Sequence, residues 1–216
     1  MRDNFHDELD KIGTDLVEMT HLVASAMSRA TTALLDADVA LAESVISADE
    51  RIDERYRHVE EQAFDLLARQ QPVAGDLRTL VTSLRMVTEL ERAGDLALHI
   101  AKVARMRYPT SAVPPELRAT VREMGQVAER IIAKAGSVIA GRDVGRAVEL
   151  EADDDVMDAL HRQLFTELLS ESWPYGVETA VDIALLGRYY ERFADHAVSV
   201  ARRVVYLVTG ELPETA

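Results

Sequence analysis

The sequence predicts an all-α protein of six helices, arranged as two tandem copies of one three-helix bundle with an elongated shape. First, apolar residues recur every three or four positions over long stretches, which is the period of an amphipathic helix. Second, the 48% hydrophobic content includes only 5% aromatic residues, and an aliphatic core of this kind favours helix over sheet. Third, the second half of the chain repeats the first at a constant offset.

The first half divides into three apolar seams of helical period. They run from Leu9 to Leu34, from Ala42 to Leu66 and from Leu77 to Ala101. Breaks separate them at 36–38 and at 70–75, where the second break contains the proline and glycine that terminate helices. A helix of about 30 residues is about 45 Å long, and short loops make consecutive helices antiparallel, so we expect an elongated bundle.

The second half contains the same three elements after a Pro-rich segment. That segment, 108–115, is predicted to be a linker between a first repeat, 1–107, and a second repeat, 116–216. Matching residues lie 105 positions apart early in the repeats, as for Met19 and Met124, and 100 positions apart near their ends. About one helical turn is therefore missing from the second copy.

Each repeat carries two pairs of acids spaced four residues apart, on or beside the apolar seams. The eight carboxylates are Asp49, Asp53, Glu91, Asp95, Asp154, Asp158, Glu191 and Asp195. Residues four apart are neighbours on a helix surface, so the two carboxylates of a pair repel each other. Because an unpaired charge that faces a partner helix is costly, the pattern indicates that a cation meets these groups.

Two kinds of cation fit this pattern. The first is a metal ion, since clustered oxygen ligands and no cysteine suit Mg, Mn, Ca or Fe rather than structural zinc. We expect a divalent or trivalent ion, with Fe, Mg, Mn and Zn as the candidates. The second is an internal ion pair, for which the candidates are Arg92, Arg192, Lys102 and Arg202. His161, three residues after Asp158, is either an auxiliary metal ligand or a packed, hydrogen-bonded side chain.

Composition excludes several classes of function. A net charge of −14 repels nucleic acid and anionic lipid, so we expect no direct nucleic-acid binding and membrane contact only through a partner. No apolar run approaches the roughly 20 residues that span a bilayer. The acidic N-terminus does not resemble a signal peptide. We therefore expect a cytoplasmic protein, peripheral at most at the inner face of the plasma membrane.

A metalloenzyme is the alternative interpretation, because helical bundles rich in carboxylates include ferritin-like proteins and di-iron oxidases. Those centres need two Glu-x-x-His motifs, contributed within a four-helix bundle. This chain has one such motif, Glu18 to His21, within a three-helix unit, and nothing matches it in the other repeat. We therefore expect no catalytic activity, no catalytic residues and no organic cofactor.

The sequence resembles the PhoU family over nearly its full length. The resemblance rests on a Glu-Arg-x-x-Asp block in the third helix of each repeat, Glu91–Asp95 and Glu191–Asp195. It rests also on the earlier Asp-x-x-hydrophobic-Asp elements, Asp49–Asp53 and Asp154–Asp158. The repeat length and the position of the linker agree with the same family.

The resemblance implies a function as well as a fold. PhoU proteins are two three-helix bundles whose acid-x-x-x-Asp motifs can bind multinuclear metal clusters, which assigns the eight carboxylates as metal ligands. It also implies a negative regulator of phosphate uptake and of the phosphate-starvation response. Such a regulator is an adaptor between the ATPase of a Pst-type phosphate transporter and a membrane sensor histidine kinase. Whether the chain forms a homodimer is left open.

Two features qualify what the resemblance implies. The second repeat departs from the pattern at Glu178, which stands where the first has Arg78, and at Phe193 and Ala194, but it keeps its four acids. No Gly-rich phosphate-binding loop is present, so we expect the transporter rather than this chain to sense phosphate.

Overall fold

The structure of the chain, a computed structural model, describes residues 2–211. Within that range it contains no strand, and a 3-10 helix at Pro115–Leu117 precedes the second repeat. The α-helices are α1 Arg2–Asp36, α2 Val39–Ala48, α3 Glu50–Gln70, α4 Ala74–Arg107, α5 Arg118–Gly141, α6 Val144–Leu168 and α7 Gly176–Thr209. The outermost ends of the predicted repeats, residue 1 and residues 212–216, lie outside the described residues. The all-α prediction is confirmed.

Helices α2 and α3 together form the second helix of the first repeat. A single residue, Asp49, separates them, and its own backbone is helical, with φ −60° and ψ −35°. The corresponding helix of the second repeat, α6, is continuous. The prediction of six helices in two three-helix units is therefore confirmed, with one irregularity in the first repeat that the apolar periodicity did not indicate.

The same aspartate cap begins the second helix of each repeat. The Asp38 carboxylate accepts a hydrogen bond from the backbone N–H of Leu41 at 2.9 Å. Asp143 accepts the equivalent bond from the N–H of Arg146 at 3.0 Å. A short side chain at this position satisfies a backbone donor that the start of a helix leaves free. The match between the two aspartates in the sequence therefore has a structural cause.

The two repeats are three-helix bundles that pack side by side. Helices α1, α2/α3 and α4 contact one another in the first repeat, and α5, α6 and α7 do so in the second. Between the repeats, α1 lies against α5 and α4 lies against α7. Since α1 also contacts α4 and α5 also contacts α7, these four helices form a four-helix arrangement, called the central layer below, with α2/α3 on one side and α6 on the other. At 35 residues, α1 is about 52 Å long, which makes the molecule elongated.

A pseudo-twofold relation connects the repeats where α1 crosses α5. Gly125 lies against Thr31, and Gly136 lies against Thr20, and the two glycines are the repeat counterparts of Thr20 and Thr31. A Cβ atom on Gly125 would come within 2.5 Å of the Thr31 side chain, and one on Gly136 within 2.4 Å of Thr20 Oγ1. Side chains do not approach so closely in packed interiors, so this crossing depends on glycine at both positions.

Polar side chains also join the repeats inside the central layer. The hydroxyl of the fully buried Tyr190 is 2.8 Å from Thr31 Oγ1. Arg107 on α4 contacts the buried carboxylate of Asp182 on α7 twice, at 2.6 and 3.0 Å. Tyr190 and Asp182 thus each have a partner from the opposite repeat, which helps to fix how the two bundles pack.

The segment 108–114 runs from α4 to the 3-10 helix and packs against α1. Ala112 and Val113 are buried, and the Ser111 hydroxyl donates to the carbonyl of Leu34 at 3.3 Å. The predicted linker is therefore anchored to the first repeat. The domain boundaries proposed on either side of it stay a prediction.

One apolar core runs through both repeats. The equivalent Met19 and Met124 are fully buried, as are the Ile12 and Leu16 positions of the first seam. None of the described helices is both long enough and apolar enough to cross a lipid bilayer.

Candidate metal-binding clusters

The four predicted acids of the first repeat lie on neighbouring stretches of α3 and α4. Asp49 precedes α3 directly and Asp53 lies in its first turn, while Glu91 and Asp95 lie one turn apart within α4. The negative charges of Asp53 and Asp95 raise the pKa of Asp49. The negative charges of the other three carboxylates raise the pKa of Glu91. These four carboxylates are called the first cluster below.

Gly94 lets α4 approach α3 beside the first cluster. A Cβ atom on Gly94 would be 3.0 Å from Cδ1 and 3.1 Å from Cγ2 of the buried Ile52. The glycine of the first Glu-Arg-x-x-Asp block therefore serves the packing of the two helices, and this close packing holds their carboxylates near one another.

Burial and mutual repulsion raise pKa values in the first cluster. Burial is the main cause that raises the pKa of Asp49 to about 6, and repulsion from Asp53 and Asp95 adds to it. Lys102 acts in the opposite direction but is outweighed. The pKa of Glu91 is also raised, first by burial and then by Asp95. At neutral pH the cluster therefore holds net negative charge, of which Lys102 and Arg92 offset only a part.

The second repeat forms an equivalent second cluster from α6 and α7. Burial raises the pKa of Asp154 to about 6, with repulsion from Asp195 and Asp158 as the next causes. The pKa of Glu191 is likewise raised, first by burial and then by Asp195. Of the eight carboxylates in the two clusters, only Asp53 is exposed, and the other seven are half-buried.

The clusters differ in the positive charges beside them. Three arginines lie within 4.0 Å of second-cluster carboxylates: Arg188 beside Glu191, Arg162 beside Asp158 at 3.8 Å, and Arg192 beside Asp195 at 4.0 Å. No Lys, Arg or His side chain of residues 5–211 lies that close to a first-cluster carboxylate. The ion-pair interpretation therefore describes the second cluster better than the first.

Of the basic residues named from the sequence, one reaches a cluster carboxylate. That residue is Arg192, whereas Arg202 binds Glu151 at 3.0 Å. Lys102 and Arg92 act on the first cluster only through longer-range electrostatics. Three of the four proposed internal cations, Arg92, Lys102 and Arg202, therefore do not pair directly with a cluster carboxylate.

Two arginines of the second cluster were missed in the sequence analysis. Arg188 precedes Glu191 by three residues, and Arg162 follows Asp158 by four. Both spacings place the two side chains on the same helix face, so the spacing alone could have predicted these two ion pairs.

His161 lies between α6 and α7 beside the second cluster. Its ring is edge-on to Phe165, with the ring centroids 5.0 Å apart. It also lies close to Gly187 on α7, where an added Cβ atom would be 3.1 Å from His161 Cδ2. Burial first, and then Arg188, lower its pKa, so the imidazole is neutral at pH 7. In the described part of the chain, neither its Nε2 nor Glu191 Oε2 has a hydrogen-bond partner, although both atoms are enclosed. The histidine is packed, but its enclosed nitrogen keeps ligand capacity.

Two further polar side chains have structural partners. His196, whose position in the first repeat is taken by Leu96, lies with Nδ1 at 2.7 Å from Glu89 Oε2 across the contact of α4 and α7. Glu18 of the single Glu-x-x-His motif is paired with Arg55 at 2.8 Å.

The donor atoms of both clusters suit hard metal ions, because every predicted ligand offers carboxylate oxygens. Among the residues that the structure describes, no three His, Asp or Glu side chains are already gathered closely enough to hold an ion. Ion binding therefore requires the half-buried carboxylates to turn towards a common point. The eight acids stay predicted ligands.

The chain matches the model of the PhoU domain family twice, over residues 16–104 and 121–204. It is 49% identical to the phosphate-specific transport system accessory protein PhoU homolog 2 of Mycobacterium tuberculosis, over 99% of this chain and 100% of that protein. It is 30% identical to the phosphate-specific transport system accessory protein PhoU homolog of Rhizobium meliloti, over 97% of this chain and 89% of that protein.

Two crystal structures share the fold over their full length. PhoU from Pseudomonas aeruginosa superposes with a TM-score of 0.86 at 31% identity and covers 96% of this chain. The phosphate transport system regulatory protein PhoU from Streptococcus pneumoniae gives a TM-score of 0.88 at 25% identity and covers 98% of this chain. The two matched family segments fall within the two three-helix bundles. The chain belongs to the PhoU family.

Proposed function

We propose that this chain regulates phosphate uptake as the accessory protein of a phosphate-specific transport system. The observation that carries the proposal is 49% identity, over 99% of the chain, to a protein that bears this name. In this role the chain restrains phosphate uptake and the phosphate-starvation response when phosphate is plentiful. It performs no catalytic step of its own.

The chain acts as an adaptor between the ATPase of the transporter and a membrane sensor histidine kinase. Its net charge of −14 favours partner surfaces with basic residues over nucleic acid or anionic lipid. Exposed apolar side chains recur at equivalent positions near the starts of α4 and α7, Leu77 with Val81 and Val177 with Val181. Apolar side chains of this kind supply contact area for protein partners. The chain meets the membrane only through these partners, on its cytoplasmic side.

The two acidic clusters bind divalent or trivalent metal ions. Support comes from half-buried carboxylates with raised pKa values and, in the first cluster, from the lack of a close cation among the described residues. A bound ion would neutralise the carboxylates and link α3 to α4, or α6 to α7. The oxygen donors suit Fe, Mg or Mn, and His161 would add a nitrogen donor suited to Zn or Fe.

The metalloenzyme alternative gains no support from side-chain geometry. Its only Glu-x-x-His motif has the glutamate Glu18 engaged by Arg55 at 2.8 Å. A ferritin-like centre would need that carboxylate free to bind a metal.

Affinity purification of the tagged chain from phosphate-replete cells of its own species tests the adaptor role. A transporter ATPase and a sensor histidine kinase should co-purify with it and not with the bare tag. Deletion of the gene should raise phosphate uptake and starvation-reporter expression in phosphate-rich medium. If neither protein co-purifies and uptake is unchanged, the proposed function is wrong.

A further inference from the structure

A cavity of about 520 Å³ lies in the central layer, near the starts of α1 and α4 and the ends of α5 and α7. Its wall is mostly aliphatic, with Leu9, Leu16, Met86, Ile139 and Leu207 among its side chains. A space of this size between helices, with a few polar groups on an apolar wall, is typical of binding sites.

The cavity is open because two of its positions lack the arginine that the other repeat has there. Gly13 lines the cavity, and a Cβ atom added to it would have nothing within 4 Å. The repeat counterpart of Gly13 is Arg118, 105 positions later, and that of Leu207 is Arg107, 100 positions earlier. The side chains of Arg118 and Arg107 are 32% and 24% exposed. At the opposite end of the molecule, the chain's own guanidinium groups therefore fill the equivalent space.

That filled end shows which groups hold a guanidinium there. Arg118 Nη1 donates to the carbonyl of Leu35, and Arg118 Nη2 lies 3.4 Å from Asp36 Oδ1. Leu35 lies in the last turn of α1, where a helix leaves carbonyls without intrahelical partners. The counterpart of Leu35 is Ala140, which lies in the last turn of α5 and lines the cavity. The cavity thus has the same kind of acceptor at the equivalent place.

Side chains of the cavity add two more acceptors. Ser83 is 3% exposed, and within residues 5–211 its hydroxyl has no hydrogen-bond partner; the counterpart of Ser83 is the fully buried Ile183. Asp10 contributes an exposed carboxylate from α1. Arg142 opposes these groups from an exposed position at the end of α5, where the filled end has Ala37. The buried hydroxyl and the carboxylate both suit a ligand that donates hydrogen bonds.

We propose that this cavity binds an arginine side chain of a protein partner, as the filled end binds Arg118. The guanidinium donates to the Ala140 carbonyl and pairs with Asp10, and its aliphatic stem packs on the apolar wall. The net charge of −14 favours a basic partner, and arginine is enriched at the centres of protein interfaces. The inference rests on the adaptor role proposed above only for the existence of that partner.

Titration of the full chain with N-acetyl-L-arginine amide, followed by nuclear magnetic resonance, tests the cavity. The probe should bind with millimolar affinity and shift the amide signals of Gly13, Ser83 and Ala140. N-acetyl-L-citrulline amide has nearly the same shape without the charge and should bind about fivefold more weakly. Equal binding of the two probes, or no shift at these three residues, would overturn the proposal.

Gly13→Arg copies the filled end and should place the chain's own guanidinium in the cavity. It should abolish binding of the arginine probe and raise the melting temperature about 3 °C more than Gly13→Gln, which has similar helix propensity and no charge. Ala133→Arg adds the same charge at an exposed position of α5 and should leave probe binding unchanged. Undiminished probe binding by Gly13→Arg would contradict the assignment.

Two further variants test the charges at the cavity. Asp10→Asn should weaken binding of the arginine probe about threefold, because it removes the pairing carboxylate. Arg142→Ala copies Ala37 of the filled end and should tighten binding by a similar factor, because it removes the opposing charge. Effects of the opposite sign would show that the probe binds as an anion or at another place, and would overturn the proposal.

Purification of the tagged chain separates this inference from the adaptor role. Gly13→Arg should lose a partner that the wild type and Gly13→Ala both retain. Retention of every partner by Gly13→Arg, or failure of the arginine probe to bind, would overturn the inference and leave the adaptor role in place. Absence of partners from the wild-type purification would instead overturn the adaptor role.

Discussion

At the residue scale, the carboxyl groups of Asp49 and Asp154 couple the stability of the fold to pH. Their pKa values rise from 3.8 to about 6 in the folded chain. Between these two values the folded state binds more protons than the unfolded state, so their contribution to stability increases as the pH falls from about 7 to about 4. At neutral pH both groups are ionised and weaken the fold, which is the opposite of an aspartate in an ion pair.

Neutral substitution of these two groups should therefore stabilise the metal-free chain. We expect Asp49→Asn and Asp154→Asn each to raise the melting temperature at pH 7.5 by about 3 °C, which corresponds to about 1 kcal/mol after allowance for their exposure to water. The gain should shrink as the pH is lowered towards 4, because the wild-type groups become protonated. Thermal melting in chelator across this pH range measures it.

The matched control is Glu123→Gln, an exposed acid on α5 that faces neither cluster. It should leave the melting temperature nearly unchanged at every pH. Destabilisation by Asp49→Asn at pH 7.5 would show that its carboxylate has a stabilising partner, which contradicts a pKa raised by burial and by Asp53.

The sequence pattern indicated which carboxylates lie near one another on a helix, but not which basic side chains pair with them. Spacing and helix azimuth place Glu91 beside Asp95, because both properties follow from helix geometry alone. The pairing of Arg202 with Glu151 depends on side-chain rotamers and on the neighbouring helix, neither of which periodicity reports. The positions of the internal cations therefore could not be predicted from the apolar pattern.

At the element scale, the helix order followed from apolar periodicity, and the irregularity at Asp49 did not. The seam passes through Val45, Asp49 and Ile52 without interruption, as in an unbroken helix. In the structure the Ile52 N–H donates to the Asp49 carbonyl at 2.8 Å, a bond of the tighter 3-10 type. Such a local change of hydrogen bonding leaves the seam intact, so the sequence pattern could not reveal it.

The crossing of α1 and α5 makes a second prediction at this scale. Gly136→Ala should destabilise the fold by about 1–3 kcal/mol, because its new methyl group would meet Thr20 Oγ1 in a closely packed contact. Gly13→Ala is the same chemical change at a helical position with nothing within 4 Å, and it should stabilise by up to about 1 kcal/mol. Urea unfolding of the two variants beside the wild type measures both effects.

Opposite signs for the two variants would support the close approach of the repeats. If Gly136→Ala stabilised the chain as much as Gly13→Ala, helix propensity would dominate at both positions. The tight contact with Thr20 would then be wrong.

At the scale of the whole molecule, the pseudo-twofold arrangement separates the contact between the repeats from the two acidic clusters. The central layer of α1, α4, α5 and α7 joins the repeats through aliphatic packing, glycine contacts and the paired Arg107 and Asp182. The clusters lie where the flanking helices, α3 and α6, meet this layer. Ion binding can therefore change how the flanking helices are held without disrupting the contact between the repeats. The duplication was evident from the sequence, but which helices join the two copies required the coordinates.

Metal analysis of the chain purified without chelator is the most direct test of the claim that the acidic clusters are cation sites. The wild type should contain stoichiometric metal and lose thermal stability when chelator is added. The double variant Asp95→Asn with Asp195→Asn should contain much less metal and should respond little to chelator. If the wild type and the double variant both contain no metal and melt at the same temperature, the clusters are not metal sites.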